Sequence, residues 1–175
     1  LHILDRQEDV ITNTDGEIIY PRLVENELKS SPYIQEAVCF GKDKPYMTAI
    51  LNIDMNSVGR WADKNRILYT EYSDLSRNPK VVELIEQQVE QLMSKLSPQN
   101  RVKKFSILHK QFTADQGELT RTLKIRRNFV EQKYKILLDG MYSDTQEVSL
   151  TSSQTESVEE EVSLRVIQLK IKQGV

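Results

Sequence analysis

Two neighbouring runs of β-branched and aromatic residues, Ile34 to Phe40 and Tyr46 to Ile53, restrict the fold of this chain more than any other feature. Between them lies Gly41-Lys42-Asp43-Lys44-Pro45, with the composition of a reverse turn, so the runs read as an antiparallel strand pair. In the second run, alternation puts Met47, Ala49, Leu51 and Ile53 on one face and Tyr46, Thr48, Ile50 and Asn52 on the other. At least one of these faces has to be covered, and the flanking sequence offers helices to do it. Asn78-Pro79, an N-cap followed by proline in the first turn, opens a segment with Val81, Val82, Leu84, Ile85, Val89, Leu92, Met93 and Leu96 at three-and-four spacing. Ser97-Pro98 stops it. Pro21 opens a shorter helix that carries Leu23, Val24 and Leu28 on one side, and Asp54 caps another running through Trp61. Tyr72 to Leu75 reads as core and loop.

The remaining segments fit around that sheet. Asn13-Thr14-Asp15-Gly16 is a turn signal between Val10-Ile11 and Ile18-Ile19-Tyr20, which predicts a small hairpin. Lys104 to Leu108 is a short strand, Thr113 to Thr122 a polar glycine-containing loop, and Ile125 to Met141 a second amphipathic helix using Phe129, Val130, Tyr134 and Leu137. From Ser143 to Ser157 the composition turns to Ser, Thr and Glu, as in a flexible connector. Val162, Leu164 and Val166 then alternate, with Leu169 and Ile171 out of phase, as in a bulged strand that Gln146 to Leu150 can pair with. The class is therefore α+β: a small central antiparallel sheet flanked by helices, then a flexible segment and a terminal β-hairpin.

Composition removes several functions. The 175 residues allow one ordinary domain with an appendage, and a net charge of −2 argues against a surface built throughout for nucleic acid. Cys39, the single cysteine, sits in an apolar run, so no internal disulfide forms and a reducing, cytoplasmic compartment is expected. His2 and His109 have no partners at metal-ligand spacing, and no apolar stretch approaches the roughly 18 residues of a membrane span. Leu1-His2-Ile3-Leu4 looks like the middle of a strand, so the expectation is that the sequence was cut from a longer one.

The most informative segment is Asp115-Gln116-Gly117-Glu118-Leu119-Thr120-Arg121-Thr122-Leu123-Lys124. Glycine and hydroxyl residues lead into a lysine at an expected helix start, where a cation is unfavourable unless an anion sits beside it. Lys124, with Arg126 and Arg127, forms a phosphate or carboxylate site on one reading and a solvated basic turn on the other, and spacing alone favours the turn. Residues 101 to 134 hold nine Lys or Arg against three acids, a patch suited to the phosphates of a nucleotide or of coenzyme A, or to single-stranded nucleic acid. Near the front, Asp5-Arg6-Gln7-Glu8-Asp9 is a charge cluster whose simplest reading is a solvated edge strand or linker.

Taken in order from about residue 3 to residue 142, these segments resemble the C-terminal domain of the adenylate-forming acyl-CoA synthetases, in particular the long-chain fatty acid branch. Asp5 to Ile11 is similar to the family's interdomain hinge, which implies that Arg6 approaches the nucleotide ribose and that Glu8 is the pivot, where the family commonly has Asp or Lys. Thr14-Asp15-Gly16-Glu17 is similar to the family's Gly-Gly-Glu-Asn turn, which implies that Gly16 and Glu17 border the coenzyme A site; Asp15 replaces the first glycine and Ile18 the asparagine. Ser31-Pro32-Tyr33-Ile34, Lys103-Lys104-Phe105 and Gly117-Glu118-Leu119-Thr120 match the long-chain branch closely.

The resemblance implies that Lys124 is the adenylation lysine and that Gly117, Glu118 and Thr120 belong to its loop. It also implies a rotation of the domain that exchanges Lys124 for the Gly16 turn between half-reactions. ATP, coenzyme A and Mg2+ are the implied cosubstrates and ion, bound mainly by an N-terminal adenylating domain, and a long-chain fatty acid is the acyl donor. On this reading residues 1–142 are the mobile domain, with the hinge and first strand at 1–11, residues 143–161 an acidic connector and 162–175 a terminal strand. The fragment alone is expected to be inactive, with peripheral membrane contact only through the full-length enzyme and no nucleic-acid partner. Two alternatives stay open: an adenylate-forming enzyme that loads a carrier protein, and a non-enzymatic nucleic-acid-binding module.

Overall fold

The computed structural model describes residues 10–151 and 161–170. Its centre is a four-stranded sheet of β3 (Ile34–Phe40), β4 (Met47–Ile53), β5 (Val102–Ile107) and β8 (Ile167–Gln168), in that spatial order. β3 and β4 pair antiparallel across the Gly41–Pro45 turn, as their sequence predicts. The expectation of a wholly antiparallel sheet needs one correction, since β4 and β5 run parallel. The reason is the length of the connection: α2 (Met55–Lys64), α3 (Tyr72–Arg77) and α4 (Pro79–Met93) lie between them, enough chain for the crossover that a parallel pair requires.

Both faces of β4 are covered, and all of its residues are buried. On one face Ala49, Leu51 and Ile53 pack with Val24 and Leu28 of α1 (Pro21–Lys29), Val58 of α2, Leu75 of α3, and Val81, Ile85 and Val89 of α4. On the other, Val38, Phe40 and Ile50 meet Val130 of α5 (Arg127–Lys133) and Leu137 and Met141 of α6 (Lys135–Met141). Truncating any of these leucines or isoleucines to alanine removes a side chain that nothing replaces, at a cost of about 2–5 kcal/mol.

Local chemistry explains the element boundaries. The Asn78 side chain accepts the Lys80 N–H at 2.9 Å and Pro79 occupies the first turn, so α4 starts where the sequence places it. Tyr72 to Leu75, read as core and loop, lies in a helix, Tyr72–Arg77, because Glu71 and Asp74 form a reciprocal capping box. The helix expected over Ile125 to Met141 starts later, at Arg127, because Leu119 and Ile125 are engaged in a bridge, and it is divided at Tyr134 into α5 and α6.

At the front, β1 (Ile11–Thr12) and β2 (Ile18–Ile19) form the small predicted hairpin. At the other end, β6 (Glu147–Thr151) lies within the expected connector and pairs with β7 (Glu161–Arg165), closing the second core with Val148, Val162 and Leu164. The phase change after Val166 has a topological cause. The Val166 N–H still donates to Gln146 O, but Ile167 pairs with Phe105, so the chain leaves the hairpin and joins the edge of the central sheet.

Candidate functional site

The loop that carries Lys124 is fixed at both ends by buried groups. At its entry, Asn52 of β4 accepts the Phe112 N–H at 2.8 Å and donates to Lys110 O at 3.1 Å, so the sheet sets the direction in which the chain departs. The Gly117 and Glu118 N–H groups then donate to Ala114 O and Thr113 O, closing a compact turn. Gly117 has φ +80°, and a Cβ there would lie 2.9 Å from the Phe129 ring. Only glycine satisfies both the backbone angle and the ring contact.

Glu118 is the foot of this loop. It is fully buried, accepts the Tyr134 hydroxyl at 3.0 Å, and faces the Lys133 ammonium at 3.3 Å without hydrogen-bond geometry. Burial and the neighbouring Glu118 charge push the Tyr134 phenol above its ordinary range. Burial followed by the Lys133 charge lowers the pKa of Lys110, while the Glu118 charge opposes that shift.

From this foot a small hairpin projects. Thr120 N–H donates to Lys124 O at 2.8 Å, the Lys124 N–H donates to Thr120 Oγ1 at 3.1 Å, and the Leu123 N–H donates to Thr120 O at 2.9 Å. Leu123, at φ +63°, turns the tip in the left-handed region, which is rare for a residue with a branched side chain. Lys124 is thus held by its backbone, with its side chain exposed. The expected position at the first turn of a helix is corrected: Lys124 precedes the Arg126 N-cap of α5 and belongs to the hairpin.

Most cations of the basic segment are engaged internally. Arg101 donates to Leu96 O, Lys104 to Ser143 O, Lys110 to Gln116, Arg126 to Gly117 O and Arg127 to Cys39 O, while Lys133 pairs with Glu118. Among the described residues, no hydrogen bond or ion pair engages the ammonium of Lys124. The patch read from the sequence as a diffuse excess of charge is therefore largely a scaffold of tied cations; among the described residues, the side chains of Lys124 and Arg121 of the hairpin and of Lys103 beside Tyr46 stand outside any hydrogen bond or ion pair.

The anion that makes a basic helix start tolerable is part of the chain. Arg127 pairs with Glu25 of α1 and also donates to Cys39 O at 2.6 Å, while Glu25 accepts the Cys39 N–H at 2.9 Å. Burial raises the pKa of Glu25, with Arg127 opposing, and burial pushes the Cys39 thiol well above its ordinary value. Neither helical nor strand periodicity relates Glu25 to Arg127. The signal within the sequence was the pair Arg126-Arg127 opening a helix with no acid in its first turn.

The second predicted element, the Gly16 turn, is equally well defined. Asn13 Oδ1 accepts the N–H groups of Asp15 and Glu17, its amide donates to the Glu17 carboxylate at 2.9 Å, and Gly16 has φ +78°. Thr14 N–H donates to Lys44 O and Asp43 N–H to Thr12 O, which docks the turn on the β3–β4 connection. Beside it a cleft of about 280 Å3 is lined by Asn13, Glu17, Tyr46, Arg101, Lys103 and Gln168, among others. Arg101 and Lys103, read from the sequence only as members of a diffuse basic patch, are brought beside this turn by the parallel β4–β5 pairing. Lys103 also sits 5.9 Å from the centre of the Tyr46 ring.

Arg6 and Glu8, the ribose and pivot expectations, lie outside the described residues. His109 is half-buried, with a buried Nδ1 that has no hydrogen-bond partner among the described residues, and burial with nearby Lys110, Arg77 and Lys133 lowers its pKa to about 4. Among the described residues, no group of three His, Cys, Asp or Glu side chains is arranged to hold a metal ion. No described helix is long and apolar enough to cross a membrane.

The family described as AMP-binding enzyme C-terminal domain matches residues 8–146 of the chain. The chain is similar to the long-chain-fatty-acid–CoA ligase FadD15 of Mycobacterium tuberculosis, 31% identical over 144 residues that cover 82% of this chain and 24% of the relative. It is also similar to human long-chain-fatty-acid–CoA ligase 1, 30% identical over 146 residues, covering 82% of this chain and 21% of that protein. Among solved structures, the adenylation domain of a carboxylate reductase from Mycobacterium chelonae shares the fold, with a TM-score of 0.64 at 21% identity over 81% of this chain and 20% of that one. The chain thus spans about a quarter or less of the length of these relatives.

Proposed function

Because the chain belongs to the AMP-binding enzyme C-terminal domain family, we propose that it serves as the mobile C-terminal half of an ATP-dependent long-chain fatty acyl-CoA ligase. The observation that carries this reading is the hairpin of Thr120 to Lys124, which fixes a lysine backbone on a buried foot and leaves its ammonium free for an outside anion. As a fatty acid carboxylate attacks the α-phosphate of ATP, negative charge gathers on the phosphoryl oxygens. An ammonium within about 4 Å stabilises that charge by up to ~4 kcal/mol at an effective dielectric near 20.

The Gly16 turn supplies the second task. The cleft beside it is lined by Lys103 and by Arg101, which is also bonded to Leu96 O and Ser94 O, and this positive lining suits a thiol cosubstrate that carries phosphates, such as coenzyme A. Rotation of the domain about a hinge at Glu8, with Arg6 near the nucleotide ribose, exchanges the two elements between half-reactions. The partner is an N-terminal adenylating domain of the same polypeptide, which would hold ATP with Mg2+ and the acyl chain. Residues 1–142 form the mobile unit, 143–161 a connector that includes β6, and 162–175 the terminal strand. Work in the cytoplasm is supported by the lone, buried, unpaired Cys39, and membrane contact, where it occurs, is made through the full-length enzyme.

The reading is tested in the full-length enzyme by amine-reactive labelling followed by peptide mapping. Lys124 should be protected when ATP and a non-reactive fatty acid analogue are bound, and should regain reactivity when a stable acyl-adenylate analogue and coenzyme A are bound. Equal labelling of Lys124 in both states would contradict alternating presentation.

A further inference from the structure

β3 is an edge strand of the central sheet, and Cys39 directs both backbone groups away from β4, where a further strand would pair. Instead, the Glu25 carboxylate takes the Cys39 N–H and the Arg127 guanidinium takes the Cys39 carbonyl, while the two side chains pair with each other. An ion pair thus substitutes for a neighbouring strand. It also joins two bodies that pack on opposite faces: α1 contributes Val24 and Leu28 to the first core, and α5 contributes Val130 to the second.

The position of Arg127 makes local stability a poor explanation for its presence. It is the first residue of α5, where the helix dipole disfavours a cation, and neither the N-cap nor the first turn supplies an acid. What Arg127 does have is a short connection to Lys124. Ile125 is bridged to Leu119 and the Arg126 N–H is bonded to Glu118 O, so little slack separates the guanidinium from the hairpin.

We propose that Glu25 and Arg127 are positioning residues: their ion pair registers the Lys124 hairpin against α1 and the edge of the sheet, so that the lysine arrives in place when the domain closes. This inference rests on the reading of Lys124 given above. The Gly16 turn has separate anchors, the Thr14-to-Lys44 and Asp43-to-Thr12 backbone bonds, so loss of the ion pair loosens the register of the lysine hairpin against α1, while its own Asn52 and Glu118–Tyr134 anchors keep it folded, and leaves the coenzyme A turn where it is. The consequence is an asymmetry between half-reactions that a simple loss of folded protein does not produce.

The test uses the full-length enzyme with Glu25→Gln, which keeps an acceptor for the Cys39 N–H, together with Arg127→Lys and Arg127→Met, each normalised to active sites titrated with a tight acyl-adenylate analogue. The expected result is a fall of about ten- to hundredfold in kcat for fatty-acid-driven ATP–pyrophosphate exchange in Arg127→Met. Arg127→Lys and Glu25→Gln should lose less, the KM for ATP should be unchanged, and thioester formation from supplied acyl-adenylate should stay within about twofold of the parent. An equal loss in both half-reactions, or no loss in either, would overturn the proposal. Lys124→Ala in the same assays separates the two claims. If it abolishes exchange while the Arg127 variants do not, only the positioning role fails; if it leaves exchange intact, the reading of Lys124 fails as well.

Discussion

Glu25 and Arg127, far apart in sequence, meet at the backbone of Cys39, one accepting its N–H and the other donating to its carbonyl. The carboxylate is mostly buried, so removing the guanidinium leaves a charge with little water and only the Cys39 N–H as a hydrogen-bond donor. Arg127→Met should therefore lower the unfolding free energy by about 3 kcal/mol, toward the lower end of the range for breaking a buried pair because the Arg127 side chain is 30% exposed. Glu25→Gln should cost less, since an amide oxygen still accepts from Cys39. Urea denaturation followed by circular dichroism gives both values.

Gly16 and Gly117, the two left-handed glycines among the described residues, should respond differently to the same substitution. At Gly16 a Cβ meets nothing within 4 Å, so alanine brings only the strain of φ +78°, about 1 kcal/mol. At Gly117 the same change adds a collision with Phe129, whose ring would lie 2.9 Å from the new atom. Gly117→Ala should cost about 2–4 kcal/mol, and Gly117→Ala/Phe129→Leu should recover part of it. Thermal unfolding of the four proteins measures the difference, and equal losses at both glycines would remove Phe129 from the explanation.

His109 gives the domain a pH dependence of known sign. Its folded pKa of about 4 lies below the ordinary histidine value of 6.5, so the unfolded chain takes up the proton first as the pH falls. The contribution is complete above about pH 6.5 and is lost progressively toward about pH 4. Glu25 acts in the opposite sense, because its raised folded pKa favours the native state at low pH and that contribution disappears as the pH rises through the raised value. Between about pH 7 and pH 5 the parent should lose more stability than His109→Gln, measured as the shift in urea midpoint. Parallel loss in the two proteins would show that His109 titrates normally.

What could be read from the sequence was what short-range physics decides. The alternation of Met47 to Ile53, the Asn78-Pro79 cap and the Asn13 to Gly16 turn each specify their own element from a few adjacent residues, and each forms as expected. The parallel β4–β5 pairing could not be read this way, because it depends on how far the three intervening helices carry the chain. The same holds for the site. The Gly117 to Lys124 segment was visible as a loop with an unusual lysine, yet the helix start placed there was wrong because the Leu119–Ile125 bridge competes with it. The pairings of Glu25 with Arg127 and of Glu118 with Tyr134 join separate segments, and no local spacing reports them.

The central claim is that the free ammonium on the Thr120 to Lys124 hairpin acts in adenylation and nowhere else. The most direct measurement compares Lys124→Ala with the parent in the full-length enzyme, through fatty-acid-driven ATP–pyrophosphate exchange and through thioester formation from supplied acyl-adenylate. Exchange should fall by about a hundred- to a thousandfold, the loss associated with removing one preorganised charge donor, while thioester formation should persist within about twofold. Survival of both activities would return Lys124 to an ordinary solvated turn and contradict the function proposed for this domain.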